Sequence, residues 1–255
     1  MMKHSYLLTL MKMNMKGYLL QRKRVFVLSF FMMLQNLLFF VMWGIFFSTV
    51  KEVRGWQLEE VARMFAVVCT SVGACLFFFN GVRSIARRIR DGSIDAFLVR
   101  PKAALPSILM SDSALSGMGD VVSALLILVF LGNVGWAEFA IFVFVALMAV
   151  VIFLSSCVIL YSLAFWMKGD ERFSDQLFEM LIISSSSIIH GQPWAIKMVA
   201  FTVLPAGFIS YLPVELMREF DVSVLGVMLA ATVCYVWLAH LVFEAGVRRY
   251  KAANR

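Results

Sequence analysis

Two acids and two hydroxyls share a stripe of an otherwise apolar stretch. Asp112, Ser116, Asp120 and Ser123 recur at i, i+4, i+8 and i+11, the spacing of one helical face. A carboxylate near mid-membrane costs about 2.5–3.5 kcal/mol on the insertion scale, so it must face protein or water. Asp112 stands near the end of the stretch, where an interfacial position suffices. Asp120 stands deeper. With Ser116 and Ser123 it either borders a translocation pathway or a subunit contact, or pairs with a polar neighbour. The serines at 184–187 could line the same cavity or bond their own helix backbone, the commoner outcome.

A second set of chemistry-bearing residues is basic. Arg83, Arg87 and Arg90 recur at i, i+4 and i+7, which gives one helix a basic face. Asp91-Gly92 ends that helix, glycine being suited to the left-handed position after it. Ser93 can cap a new short helix, and Asp95 sits in its first turn, where the helix dipole favours an anion. Arg100-Pro101 stops it, because the residue before proline avoids the α region. Ile94, Phe97 and Leu98 are expected to present an apolar ridge, either for protein docking or as an anchor on acidic lipid heads.

Several reactions are excluded. There is no G-x-x-x-x-G-K-[ST] loop to cradle a nucleotide, no H-E-x-x-H and no G-x-S-x-G. His4, His190 and His240 are scattered, and the four cysteines (69, 75, 157 and 234) lie in apolar stretches without metal-ligand spacing. No catalytic residue and no metal site is expected, and no cofactor bound by this chain.

The elements that hold these residues follow from composition. Of 255 residues, 62% are apolar and 15% charged, too much hydrocarbon for a soluble fold. Apolar runs predict an all-α membrane protein. The clean spans are 25–50, 64–82, 136–167 and 222–243, with a less clean one at 111–131. The first, at ~1.5 Å per residue, reaches ~39 Å and must tilt or protrude. Between 167 and 222 two arrangements compete. Either 177–189 is a surface helix and 198–214 a span, or the first spans and the second dips in and returns. Pro205, Gly207 and Pro213 favour the broken, re-entrant segment. Both arrangements give six crossings.

The net charge of +7 is a topology signal rather than a nucleic-acid patch. The first 24 residues, the loop at 83–107 and the tail hold sixteen basic residues, against four in the opposite loops. Both termini are therefore expected in the cytoplasm. Leu8, Met11, Met15 and Tyr18 share a face beside Lys12, Lys16 and Lys23, which predicts an interfacial amphipathic helix over 1–24 in contact with membrane lipids.

Two stretches carry a family resemblance. Gly92-Ser93-Ile94-Asp95-Ala96-Phe97-Leu98-Val99-Arg100-Pro101 resembles the G-x-[IL]-[DE]-x-x-L-x-R-P signature of a group of ABC-2-type transporter permeases. Leu204-Pro205-Ala206-Gly207-Phe208-Ile209-Ser210-Tyr211-Leu212-Pro213 is similar to the stretch this group carries before its last span. Gln192-Pro193 stands where the group has an aromatic-proline pair, a partial departure.

The resemblance implies a single permease domain over 1–255, a type V exporter-like fold with six spans. The fifth would be 174–191 and the re-entrant hairpin 194–214. It implies a bacterial inner-membrane location. A second permease subunit, copy or relative, would pair with this one. A separate ABC ATP-binding subunit, holding ATP and Mg, would grip a coupling helix at 92–101. Arg87, Arg90, Gly92, Ile94, Asp95, Phe97, Leu98, Arg100 and Pro101 would serve that coupling. Pro205, Gly207, Phe208, Ser210, Tyr211 and Pro213 would shape the hairpin. Export of a hydrophobic or amphipathic cargo (drug-like, lipid, glycan or peptide) is the expected function. The alternative is a channel or an intramembrane enzyme that uses Asp120.

Overall fold

The computed structural model describes residues 22–53, 55–99, 104–202 and 204–253. The expected interfacial helix over 1–24 falls almost wholly outside them, as do Arg100 and Pro101. The long helices are α1 (Arg22–Thr49), α2 (Leu58–Phe79), α6 (Ser116–Leu131), α7 (Trp136–Ser162) and α11 (Val222–Ala253). Short ones lie between α2 and α6: α3 (Ile85–Arg90), α4 (Asp95–Leu98) and α5 (Ala104–Leu109). After α7 come α8 (Glu171–Ser185), α9 (Trp194–Thr202), a π-helical turn at Gly207–Tyr211, and α10 (Leu212–Arg218). Among the described residues there is no strand, only an isolated bridge between Val53 and Trp56.

Among the described residues four stretches are long and apolar enough to cross a bilayer: Lys23–Thr49, Leu58–Arg90, Trp136–Phe165 and Val222–Ala253. The helices in the expected third and fifth spans are shorter than those spans. With 16 residues, α6 reaches ~24 Å. It starts late because Asp112 turns the chain outside it. Asp112 accepts from Ser113 N at 2.8 Å and from Asn80 Nδ2 at 3.1 Å, and Ala114 N reaches across to Leu76 O at 2.8 Å. The polar stripe therefore begins at Ser116, and Asp112 stands apart from it. The 15-residue α8 stops in the serine run, and Gly191 takes a positive φ of 67° six residues on.

Contacts divide the molecule into two ends. At one, Arg90 pairs with Glu171 at 3.0 Å, and Phe165 meets Tyr250 edge-on. At the other, Glu60 pairs with Arg218 and Arg63 with Glu138, each at 3.8 Å, and His190 stands 3.4 Å from Glu215. Segment 171–190 thus runs from the first end, at Glu171, to the second, at His190, although its helix is short. The chain between α9 and α10 bends by 90°. Its two arms leave from the second end, while Phe208 at the bend meets Tyr235, more than three turns into α11.

Glycines set the tightest packing. A Cβ on Gly117 would lie 2.4 Å from Gly73 O of α2, and one on Gly119 would lie 2.2 Å from Ser29 O of α1. Small residues let α6 approach both neighbours backbone to backbone, where dispersion and weak polar contacts replace the missing hydrophobic drive. We expect Gly117→Leu to destabilise by about 1–3 kcal/mol or more, since backbone atoms cannot yield. Gly44→Leu, whose Cβ would meet nothing within 4 Å, serves as the neutral control. Melting temperatures of the two variants in detergent check this.

Candidate functional site

The basic loop is a folded stub. The helix expected from Arg83 to Arg90 is interrupted, with Arg83 in a 3-10 turn at Asn80–Ser84 and Arg87 and Arg90 in α3. Gly92 has φ +71°, the left-handed conformation that reverses the chain after α3. Ser93 does not cap α4. The cap position is Ile94, without a side-chain bond, and the first turn closes through Asp95 N to Gly92 O at 3.2 Å.

The expectation of an outward apolar ridge is overturned. Ile94 is fully buried and Phe97 is 9% exposed, both within the core formed with Val82, Ile85 and Ile108. Their burial removes apolar area from water, and it leaves Asp95, Ala96 and Val99 outermost, Val99 at 84% exposure.

Arginines fix this stub. Arg88 was not singled out from the sequence, yet it ties three elements together. Its Nε donates to Ser84 Oγ at 2.8 Å, its Nη2 donates to Ser111 Oγ at 3.0 Å, and its Cζ lies 4.6 Å over the Phe97 ring. Arg90 reaches Glu171, and Arg83 reaches Asp175 at 3.4 Å. Two members of the expected basic face thus join the stub to α8, while Arg87 is exposed. Gly169 completes the contact, because a Cβ there would lie 2.7 Å from Arg90 N.

The deeper site is built around Asp120, which is 2% exposed. Asn36 Nδ2 of α1 donates to Asp120 Oδ1 at 2.7 Å and stands 2.9 Å from Ser123 Oγ. Ser123 Oγ donates to Asp120 O at 2.8 Å. Asp120 Oδ2 is buried without a hydrogen-bond partner among the described residues. Ser116, partly exposed at the start of α6, takes no part in this cluster. The missed residue is Asn36. Its signal was the Gln35-Asn36 amide pair inside a long uncharged span.

Asp120 borders a cavity of about 710 Å³ between α1, α2 and the end of α8. Its walls are mainly apolar, with Phe39, Trp43 and Phe65 on one side. Ser186 and Ser187 reach it too, while donating to Ile182 O at 3.0 Å and Ile183 O at 2.8 Å of their own helix. At Ser186 and Ser187 both options open at the serine run are therefore realised, while Ser185 Oγ is buried without a partner among the described residues. Among the described residues on this wall, no histidine and no second acid accompanies Asp120. Among all described residues, no group of three or more His, Cys, Asp or Glu could hold a metal.

The bent segment covers the second end. Pro205 O accepts from Phe208 N and Ile209 N, each at 3.1 Å, and Ser210 Oγ donates to Ala206 O at 2.9 Å. Gly207 passes so close to Phe201 that a Cβ would lie 2.5 Å from its ring. Pro213 has no N–H to continue a regular ladder, and the turn before it widens into a π-helix. Tyr211 stacks on the fully buried Trp56 with ring centres 6.3 Å apart and planes 7° from parallel. His190 packs against the same indole at 6.0 Å.

Removing the amide that meets Asp120 should be costly. We expect Asn36→Leu to lose about 1–3 kcal/mol, the penalty for a buried polar group stripped of its donor. Asp120→Asn, which keeps a carbonyl for Asn36, should lose less. Denaturation of both variants in one detergent checks the order.

No curated protein and no solved structure matches this chain. A family model described as ABC-2 family transporter protein matches residues 30–254, from within α1 to the end of α11. With its long apolar helices and no nucleotide-binding loop, this multi-pass membrane chain belongs to the ABC-2 transporter family.

Proposed function

We propose that the chain is the permease subunit of an ATP-driven exporter in a bacterial inner membrane. Its motor is a separate ATP-binding subunit, which supplies ATP and Mg. A second permease, a copy or a relative, completes the path. Family membership supports the permease reading. The observation that carries the coupling role is the exposed edge Asp95, Ala96 and Val99 on a stub pinned from beneath by Arg88 and Phe97. Six crossings are the reading that fits the run of 171–190 between the two ends, with both termini at the basic end in the cytoplasm. Segment 194–218 then enters and leaves from the outer side.

The mechanism follows from the connections. ATP binding draws two motor subunits together, and each displaces the stub it grips. The stub is continuous with α2 and joined to α8 through Arg90–Glu171 and Arg83–Asp175. Those two helices are walls of the Asp120 cavity. A load at the stub therefore reaches the cavity walls through rigid elements. Nucleotide shifts the population between inward- and outward-open states by binding one of them better. The enzyme alternative would need a second acid or a histidine beside Asp120, and the described residues of this wall include neither.

Asp95→Arg and Val99→Asp should each lower ATP-driven transport and ATPase stimulation at least tenfold, at unchanged membrane content. Phe97→Ala should instead lower thermal stability together with activity. Measurements on the co-purified complex in proteoliposomes check this, and full coupled activity in the Asp95 and Val99 variants would refute the docking role.

A further inference from the structure

A carboxyl group inside a membrane protein is costly, and it persists where it pairs or binds. In this chain Asp120 is half served. Asn36 occupies Oδ1, while Oδ2 has no hydrogen-bond partner among the described residues and the residue forms part of a cavity wall. The cavity, at about 710 Å³, has the size of a site for a drug-sized molecule. Aromatic rings face the same space. Phe39 and Phe65 stack at 5.3 Å, and the buried Trp43 indole nitrogen has no acceptor among the described residues.

We propose that this cavity binds a cationic amphipath, with its positive group against the wall that Asp120 backs and its apolar body among Phe39, Trp43 and Phe65. The carboxyl supplies the electrostatic partner, and ring faces attract a weakly hydrated cation. Bare metal ions fit poorly, because hard cations require six or more oxygen ligands and this wall is mostly hydrocarbon. Anionic amphipaths are disfavoured by the same carboxyl. The inference deepens the export reading, since it names a cargo class, and it rests on that reading only for what happens after binding.

The test uses the full chain in lipid nanodiscs, with radiolabelled tetraphenylphosphonium as probe and empty discs subtracted. Saturable binding is expected. A long-chain quaternary amine should displace it. Neutral triphenylphosphine oxide and anionic tetraphenylborate should need at least tenfold higher concentrations. Asp120→Asn should weaken binding at least tenfold, with Asp120→Glu recovering part of the loss. Val72→Trp, which fills the cavity from α2 and leaves Asp120 in place, should abolish it.

Binding no greater than in empty discs, equal displacement by the neutral or anionic compound, or unchanged affinity in Asp120→Asn would each overturn the proposal. Should Asp120→Asn fold poorly, the charge preference of the unaltered chain decides alone. The assay needs neither nucleotide nor motor. Intact cation binding without ATP-driven transport would fault the permease reading, and coupled transport without cation binding would fault this one.

Discussion

A carboxyl group at membrane depth has to be met by protein, and the arrangement of the helices follows from how Asp120 is met. Asn36 can reach Asp120 Oδ1 at 2.7 Å only if α6 lies almost in contact with α1. Gly119 against Ser29 O provides that approach, and Gly117 against Gly73 O repeats it on the side of α2. The three helices are thereby fixed as one layered unit, with the polar cluster between them. Removing the glycines would part the helices, and the carboxyl would lose the amide that compensates its burial.

The basic stub obeys a different constraint. It lies at an aqueous end, where arginines are well solvated and surface ion pairs contribute little. What holds it is apolar burial under a cation. Ile94 and Phe97 enter the core, and the Arg88 guanidinium covers the Phe97 ring while it spans Ser84 and Ser111. The outer edge is left short, with the Asp95 carboxylate beside the small apolar side chains of Ala96 and Val99. A partner that engages this edge meets a preset shape, so little ordering entropy is lost on docking.

Much of this was legible in the sequence because it is local. Hydrocarbon runs mark the long helices, Gly92 marks a left-handed turn, and Pro205 with Gly207 marks a break. What was not legible is long-range. Nothing in residues 92–99 states whether Ile94 and Phe97 face a partner or their own core, since that depends on Val82, Ile85 and Ile108. Asn36 and Asp120 are 84 positions apart, and neither alone names the other. The late start of α6 was hidden for a similar reason. Composition continues through 111–115, but Asp112 is held by Asn80 and Ala114 by Leu76.

The shortness of α6 has an effect on the surrounding lipid. Its 16 residues span ~24 Å, against a hydrocarbon thickness of ~30 Å, and Val122, Leu125, Val129 and Phe130 are exposed along it. On the six-span reading proposed above, acyl chains beside that face would compress or splay to match it, at a fraction of a kcal/mol per ångström. The bilayer would then be dimpled on one flank, which suits thin, fluid membranes better than thick, ordered ones.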